Sequence, residues 1–151
     1  MPRPLFVYGT LRDPDVLELV LGRVLAGAAA TAPGYRAVGM PGRSYPGLRR
    51  QPGATAEGLL LSGLSGTDLA LLDLFEGEEY SRGDIEIIVT GRVVVTDVYW
   101  PVPPMPADAG EWRLAEWRAR HKNAFLAAER ESIAELRRRL SGANSAPQEE
   151  T

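Results

Sequence analysis

The sequence contains no cysteine. Disulfides, thiolate nucleophiles and cysteine-ligated zinc are excluded by that absence. It contains one histidine, His121, too few for a multi-histidine metal site. His121 lies in a charged, helix-forming stretch, which also argues against a Ser-His-Asp triad. Lys122 is the only lysine; every other basic side chain is arginine, a bias of composition first. No apolar run approaches the roughly 20 residues that span a bilayer, so no membrane partner is expected. The opening MPRPLFVYG is too short and too soon interrupted to read as a signal peptide. A cytoplasmic location is the simplest expectation. The formal net charge is −3, which argues against a nucleic-acid partner gripped through its phosphates.

The chain is 151 residues long and 44% apolar, enough for one domain around one core. Leu5 to Tyr8 reads as a buried strand closed by Gly9. Asp13 and Pro14 then signal a helix start, as N-cap and first helical residue. Val16, Leu17, Val20 and Leu21 follow at helical spacing, and Gly22 is a stop. Residues 23–63 are broken by Gly and Pro and predict short strands and turns, with Gly34–Val38 and Glu57–Leu61 among them. Ser65 or Thr67 can cap a helix over Asp68–Phe75 that Gly77 ends. Ile85–Val89 and Arg92–Trp100 are β-branched and predict a hairpin turning at Thr90-Gly91. PVPPMP, residues 101–106, predicts a stiff extended linker.

From Glu111 to Leu140 the pattern is helical throughout, with Glu135 and Arg139 at ion-pair spacing. His121 falls on one face with Trp117 and Phe125, which predicts packing against them. Arg137-Arg138-Arg139 reads as a solvated helix end. Residues 1–140 form the expected domain. Residues 141–151 lack an apolar pattern and are the expected mobile tail. The class is α+β with a mostly antiparallel, barrel-like sheet.

Three stretches could carry chemistry. In YGTLR, residues 8–12, glycine lets a backbone approach a ligand closely, and successive N–H groups can hold an anion. A plain strand-to-helix turn accounts for it as well. In LLDLFEGEEYSR, residues 71–82, Glu76 sits at a helix C-terminus, where the dipole and any burial raise its pKa. A carboxylate so placed can act as a base. An exposed acidic cluster with Glu78 and Glu79 is the other reading. In GRSYPG, residues 42–47, Arg43 and Tyr45 could bind a carboxylate and an acyl chain, or Ser-Tyr-Pro could simply turn the chain.

FVYGTL, LDLFEGEEYSR and GEWRLAEW…H…F, in this order, resemble the gamma-glutamylcyclotransferase-like family. The similar branch contains gamma-glutamylamine cyclotransferase and the plant avirulence-induced-gene proteins. The resemblance covers roughly Leu5 to Phe125. It implies a small mixed β-barrel flanked by helices, with a long C-terminal helix. It implies that Tyr8, Gly9, Thr10 and Leu11 bind a substrate's glutamyl part and that Glu76 is the acid/base. It also implies that Tyr80 and Arg82 shape or anchor the pocket. Arg43 and Tyr45 match the plant branch's Gly-Arg-x-Tyr-Pro.

The implied partner is a small γ-glutamyl compound. Such a group carries its own nucleophile, the α-amine, so neither a protein nucleophile, a metal nor a cofactor is required. A non-catalytic binding module on the same scaffold is the alternative. A third reading makes the 111–140 helix a partner surface, if its apolar stripe is left uncovered.

Overall fold

Alternation decides which side of each strand is buried in which core. Along β1 (Leu5–Val7), Leu5 and Val7 join one buried cluster, while Phe6 and the following Tyr8 join another. A strand so short can be apolar throughout because both of its faces are covered. The computed structural model describes residues 2–149, with side chains to residue 142. The remaining elements are α1 (Pro14–Leu21), β2 (Ala28–Gly39), β3 (Pro46–Leu61) and α2 (Gly66–Glu76), then β4 (Tyr80–Val89), β5 (Arg92–Pro101), α3 (Leu114–Arg120) and α4 (Lys122–Glu149).

The five strands pair in the circuit β1-β3-β2-β4-β5 and close into a small barrel. Every pairing is antiparallel except β1 with β5. Phe6, Leu60, Ile87 and Val98 fill the interior, beside the small Ala30, Ala32 and Ala56. The second cluster lies between the barrel and the helices, where Leu61, Leu72, Trp117 and Ile133 meet. The 111–140 stripe is therefore covered: Trp117 is 2% exposed and Ile133 0%.

The local signals at α1 and α2 match the structure. Asp13 Oδ1 accepts from the N–H of Asp15 and Val16, and Gly22 ends α1 at φ 79°. Ser65, not Thr67, caps α2, in a reciprocal box with Asp68. Thr90 and Gly91 both take positive φ, the geometry that turns a tight hairpin.

Other expectations need correction. The short strands of residues 23–63 are two long ones, β2 and β3. Glycine and proline do not end β2 because the pairing absorbs them as a register shift between Pro33 and Tyr35. Residues 101–106 are not a free linker. Pro101 ends β5, and Arg49 donates to the Pro106 carbonyl at 2.7 Å. Glu111 and Trp112 are not helical; they lie against Val38 and Ala37 of β2.

The helical segment also breaks at His121, which is exposed, while Trp117 and Phe125 pack on each other at 5.4 Å. Glu135 pairs with Arg138 rather than Arg139. Arg137 is half-buried and donates to the Leu19 and Val20 carbonyls at the end of α1. Helix α4 is continuous to Glu149, and residues 150–151 of the expected tail lie outside the described residues.

Asp13 also ties the helices together. Its side chain is fully buried and accepts from Arg118 at 2.7 Å, with Lys122 Nζ 3.0 Å away. Burial alone would raise its pKa. The bonds from Arg118, Lys122 and the two N–H groups outweigh burial and hold it below the usual range. Asp13→Ala removes a cap and takes Arg118's partner away, while Lys122 keeps Asp15 at 2.6 Å, and it is expected to cost about 2–4 kcal/mol in urea unfolding near neutral pH. A carboxylate with a depressed pKa stabilises above its unfolded value. The difference between wild type and variant should therefore shrink as pH falls below about 4.

Candidate active site

β1 delivers Tyr8 to one end of the barrel, and the chain turns there at once. Thr10–Arg12 form a single 3-10 turn, with Arg12 N–H bonded to the Gly9 carbonyl at 3.0 Å. The N–H groups of Gly9, Thr10 and Leu11 precede that bond and find no acceptor among the described residues. Gly9 is required by close approach: a Cβ there would stand 2.9 Å from Pro46 Cγ. The packing against Pro46 by itself demands glycine at this position.

The loop forms one wall of a cavity of about 170 Å³. Tyr8, Gly9, Thr10 and Leu11 line it together with Tyr45, Glu76, Tyr80 and Tyr99. Phe75 and Phe125 close the helix side, edge to face at 6.2 Å.

Glu76 is the last residue of α2, placed there because Gly77 ends the helix at φ 69°. Its carboxylate receives no hydrogen bond among the described residues. Burial, and then the charge of Asp73, pushes its pKa up to about 8. The phenols around it stay protonated. Tyr8 donates to the Tyr99 carbonyl at 2.6 Å, Tyr80 to the Pro46 carbonyl at 2.5 Å, and Tyr99 to Asp73 at 2.7 Å. Burial raises the pKa of all three. Among the described residues no acidic or imidazole set gathers that could hold a metal.

Two of the basic candidates lie elsewhere. Arg82 does not line the cavity; it grips Asp73 through two nitrogens and Asp97 through a third. Arg3 joins Asp97 from the other side. This network fastens α2 to β4 and β5, and Asp73 is the charge that acts on Glu76. Arg82 thus braces α2, the helix that ends in Glu76. Arg43 is also off the cavity wall and pairs with Glu79 at 3.0 Å.

Tyr45 bonds to the same Glu79 carboxylate, and its ring lies 6.2 Å from that of Tyr80. Burial, then the bond to Glu79, pushes the Tyr45 pKa up to about 12.

Residues 5–119 match the family described as gamma-glutamyl cyclotransferase, AIG2-like. The chain belongs to this family.

It is 33% identical to AIG2-like protein A of Arabidopsis thaliana, over 80% of this chain and 75% of that one. A solution structure of another Arabidopsis thaliana protein superposes with a TM-score of 0.64 at 31% identity, over 83% and 87% of the two chains. A solved gamma-glutamyl cyclotransferase superposes with a TM-score of 0.60 at 12% identity, over 87% and 86%. At that identity the likeness is one of fold alone.

Within this AIG2-like chain, two residues in or beside the cavity are not among those the motifs single out as candidates. Glu79 organises Arg43 and Tyr45. Glu129, from α4, lines the cavity with Glu76. Its spacing of four from Phe125 puts the two on one helix face, but nothing local marks that face as a cavity wall.

Proposed function

We propose that this AIG2-like chain is a cyclotransferase that converts a γ-glutamyl amide into 5-oxoproline and a free amine. The observation that carries the reading is Glu76, a carboxyl with no hydrogen-bond partner among the described residues, its pKa pushed up to about 8 in a cavity walled by Tyr8–Leu11. The substrate's α-ammonium meets Glu76, and its opposite charge favours the ionised carboxylate. Glu76 takes one proton from the amine. The amine nitrogen forms a bond to the γ-carbonyl carbon, closing a five-membered ring. The carbon–nitrogen bond to the leaving group breaks as the proton on Glu76 passes to the leaving nitrogen, and the ring nitrogen gives its second proton to the freed Glu76 carboxylate, which hands it to the released amine.

The N–H groups of Gly9, Thr10 and Leu11, without an acceptor among the described residues, serve the α-carboxylate or the oxyanion. Tyr8, Thr10, Tyr45 and Tyr80 shape the glutamyl pocket. No covalent nucleophile is needed, because the substrate supplies one. Holding the amine against the carbonyl draws on the large rate gain of oriented intramolecular reactions.

The test is 5-oxoproline release from a panel of γ-glutamyl amines and dipeptides, with wild type beside Glu76→Gln. Release by wild type and a loss of roughly a hundredfold or more in the variant is expected for a general acid/base. Equal release by both would remove Glu76 from the mechanism. Binding without release by wild type would make the chain a binding module instead.

A further inference from the structure

The charge on the cavity wall is one-sided. Glu76 and Glu129 line it, and among the described residues no lysine, arginine or histidine side chain does. Glu129 is half-buried, and no donor or opposite charge among the described residues acts on it. Burial alone pushes its carboxyl up. Phe125, one turn earlier on α4, packs edge to face against Phe75, the neighbour of Glu76 in α2. The aromatic pair thus joins the two helices that carry the two carboxylates. A partly buried carboxylate without a partner gains most from a cation that binds beside it. In the proposed reaction Glu76 serves the substrate's own ammonium. Glu129 is left facing the same small cavity, and the other part of the substrate is the leaving amine.

We propose that Glu129 is a specificity residue, selecting γ-glutamyl amides whose leaving amine carries a second, cationic amino group and no carboxylate. The inference rests on the cyclotransferase reading. A carboxylate on the leaving group brings a negative charge toward Glu129, with no basic side chain on the wall to offset it. A neutral alkyl tail leaves Glu129 desolvated and unpaired.

Three amides with five-carbon leaving amines separate these cases: the γ-glutamyl derivatives of cadaverine, pentylamine and aminovalerate, with cationic, neutral and anionic tails. Wild type is expected to favour the cadaverine amide over the pentylamine amide by roughly ten- to hundredfold in kcat/KM, with the aminovalerate amide weakest. Glu129→Gln is expected to bring the first two within about threefold of each other. Glu129→Lys is expected to favour the aminovalerate amide. An unselective wild type, or selectivity that survives in Glu129→Gln, overturns the proposal.

Absence of turnover on all three would count against the cyclotransferase reading, and calorimetric binding of the same amides then decides the Glu129 question by itself. A cadaverine-amide preference that Glu129→Gln removes upholds it. Equal binding of the three, or no binding, overturns it.

Discussion

Glu76→Gln is expected to make the protein more stable while it removes turnover. The folded-state pKa is about 8, against an ordinary value of 4.5, because burial and then Asp73 disfavour the charged form. The folded chain therefore holds this proton more tightly than the unfolded chain. Between about pH 4.5 and 8 the unfolded chain has lost it and the folded chain has not, so stability falls as pH rises through that window. Above about pH 8 both states are ionised, and the full cost, of a few kcal/mol, is present. Glutamine keeps the shape and has no charge to desolvate. Its advantage in urea unfolding should be small near pH 5, grow through neutrality and level off near pH 9. An advantage that does not change with pH would mean the carboxyl is not shifted.

In the proposed reaction the same carboxyl would set the rising limb of the rate profile. For the free enzyme, kcat/KM should rise through an apparent pKa near 8, as the base ionises. In the proposed complex the substrate's ammonium would stand beside Glu76 and favour its charged form. The corresponding limb of kcat should lie at lower pH. A kcat limb at or above the kcat/KM limb would place the ammonium away from Glu76. Arg82→Met should perturb both profiles, since Arg82 holds Asp73, the second influence on Glu76.

The parts of this site that are legible in the sequence are those built by neighbours along the chain. Strand, glycine, hydroxyl and a capping Asp13 in succession place Tyr8–Leu11 at a strand end before a helix. An apolar helix stopped by Gly77 places Glu76 at its end. The parts that are not legible come from distant residues. Glu129 reaches the cavity because α4 crosses α1 and α2, and nothing local to residues 125–129 signals that crossing. Arg82 matches the family's pattern, but the ion pairs that hold it to Asp73 and Asp97, off the cavity wall, join residues distant in the chain. β2 and β3 are hidden because glycine and proline read as breaks, whereas paired long strands absorb them in shifts and bends. His121 fits a continuous helix by pattern, yet the chain breaks there and leaves it exposed.

Gly58→Ala is expected to damage the fold more than any other alanine substitution of a glycine. Gly58 lies on β3 at an inward position of the barrel. A Cβ there would stand 2.3 Å from the Val7 carbonyl oxygen and 2.7 Å from two ring carbons of Phe6. No flexible side-chain end can yield, since one neighbour is backbone and the other a fully buried ring. The conformation at Gly58 is not of the left-handed kind, so the obstacle is space.

Relief requires β1 to move off β3, and that breaks the pairing of Leu5, Phe6 and Val7 with Leu61, Leu60 and Leu59. Overpacking of this kind costs about 3 kcal/mol or more, which for a chain of this size lowers Tm by roughly 10 °C. The displaced strand also carries Tyr8 and the loop behind it, so whatever folded protein remains should bind γ-glutamyl compounds poorly. Gly39→Ala is the matched control, because nothing lies within 4 Å of a Cβ at that position. It should unfold close to wild type. A Gly58→Ala protein as stable as the Gly39→Ala control would mean that β1 and β3 are not packed as tightly as this barrel requires.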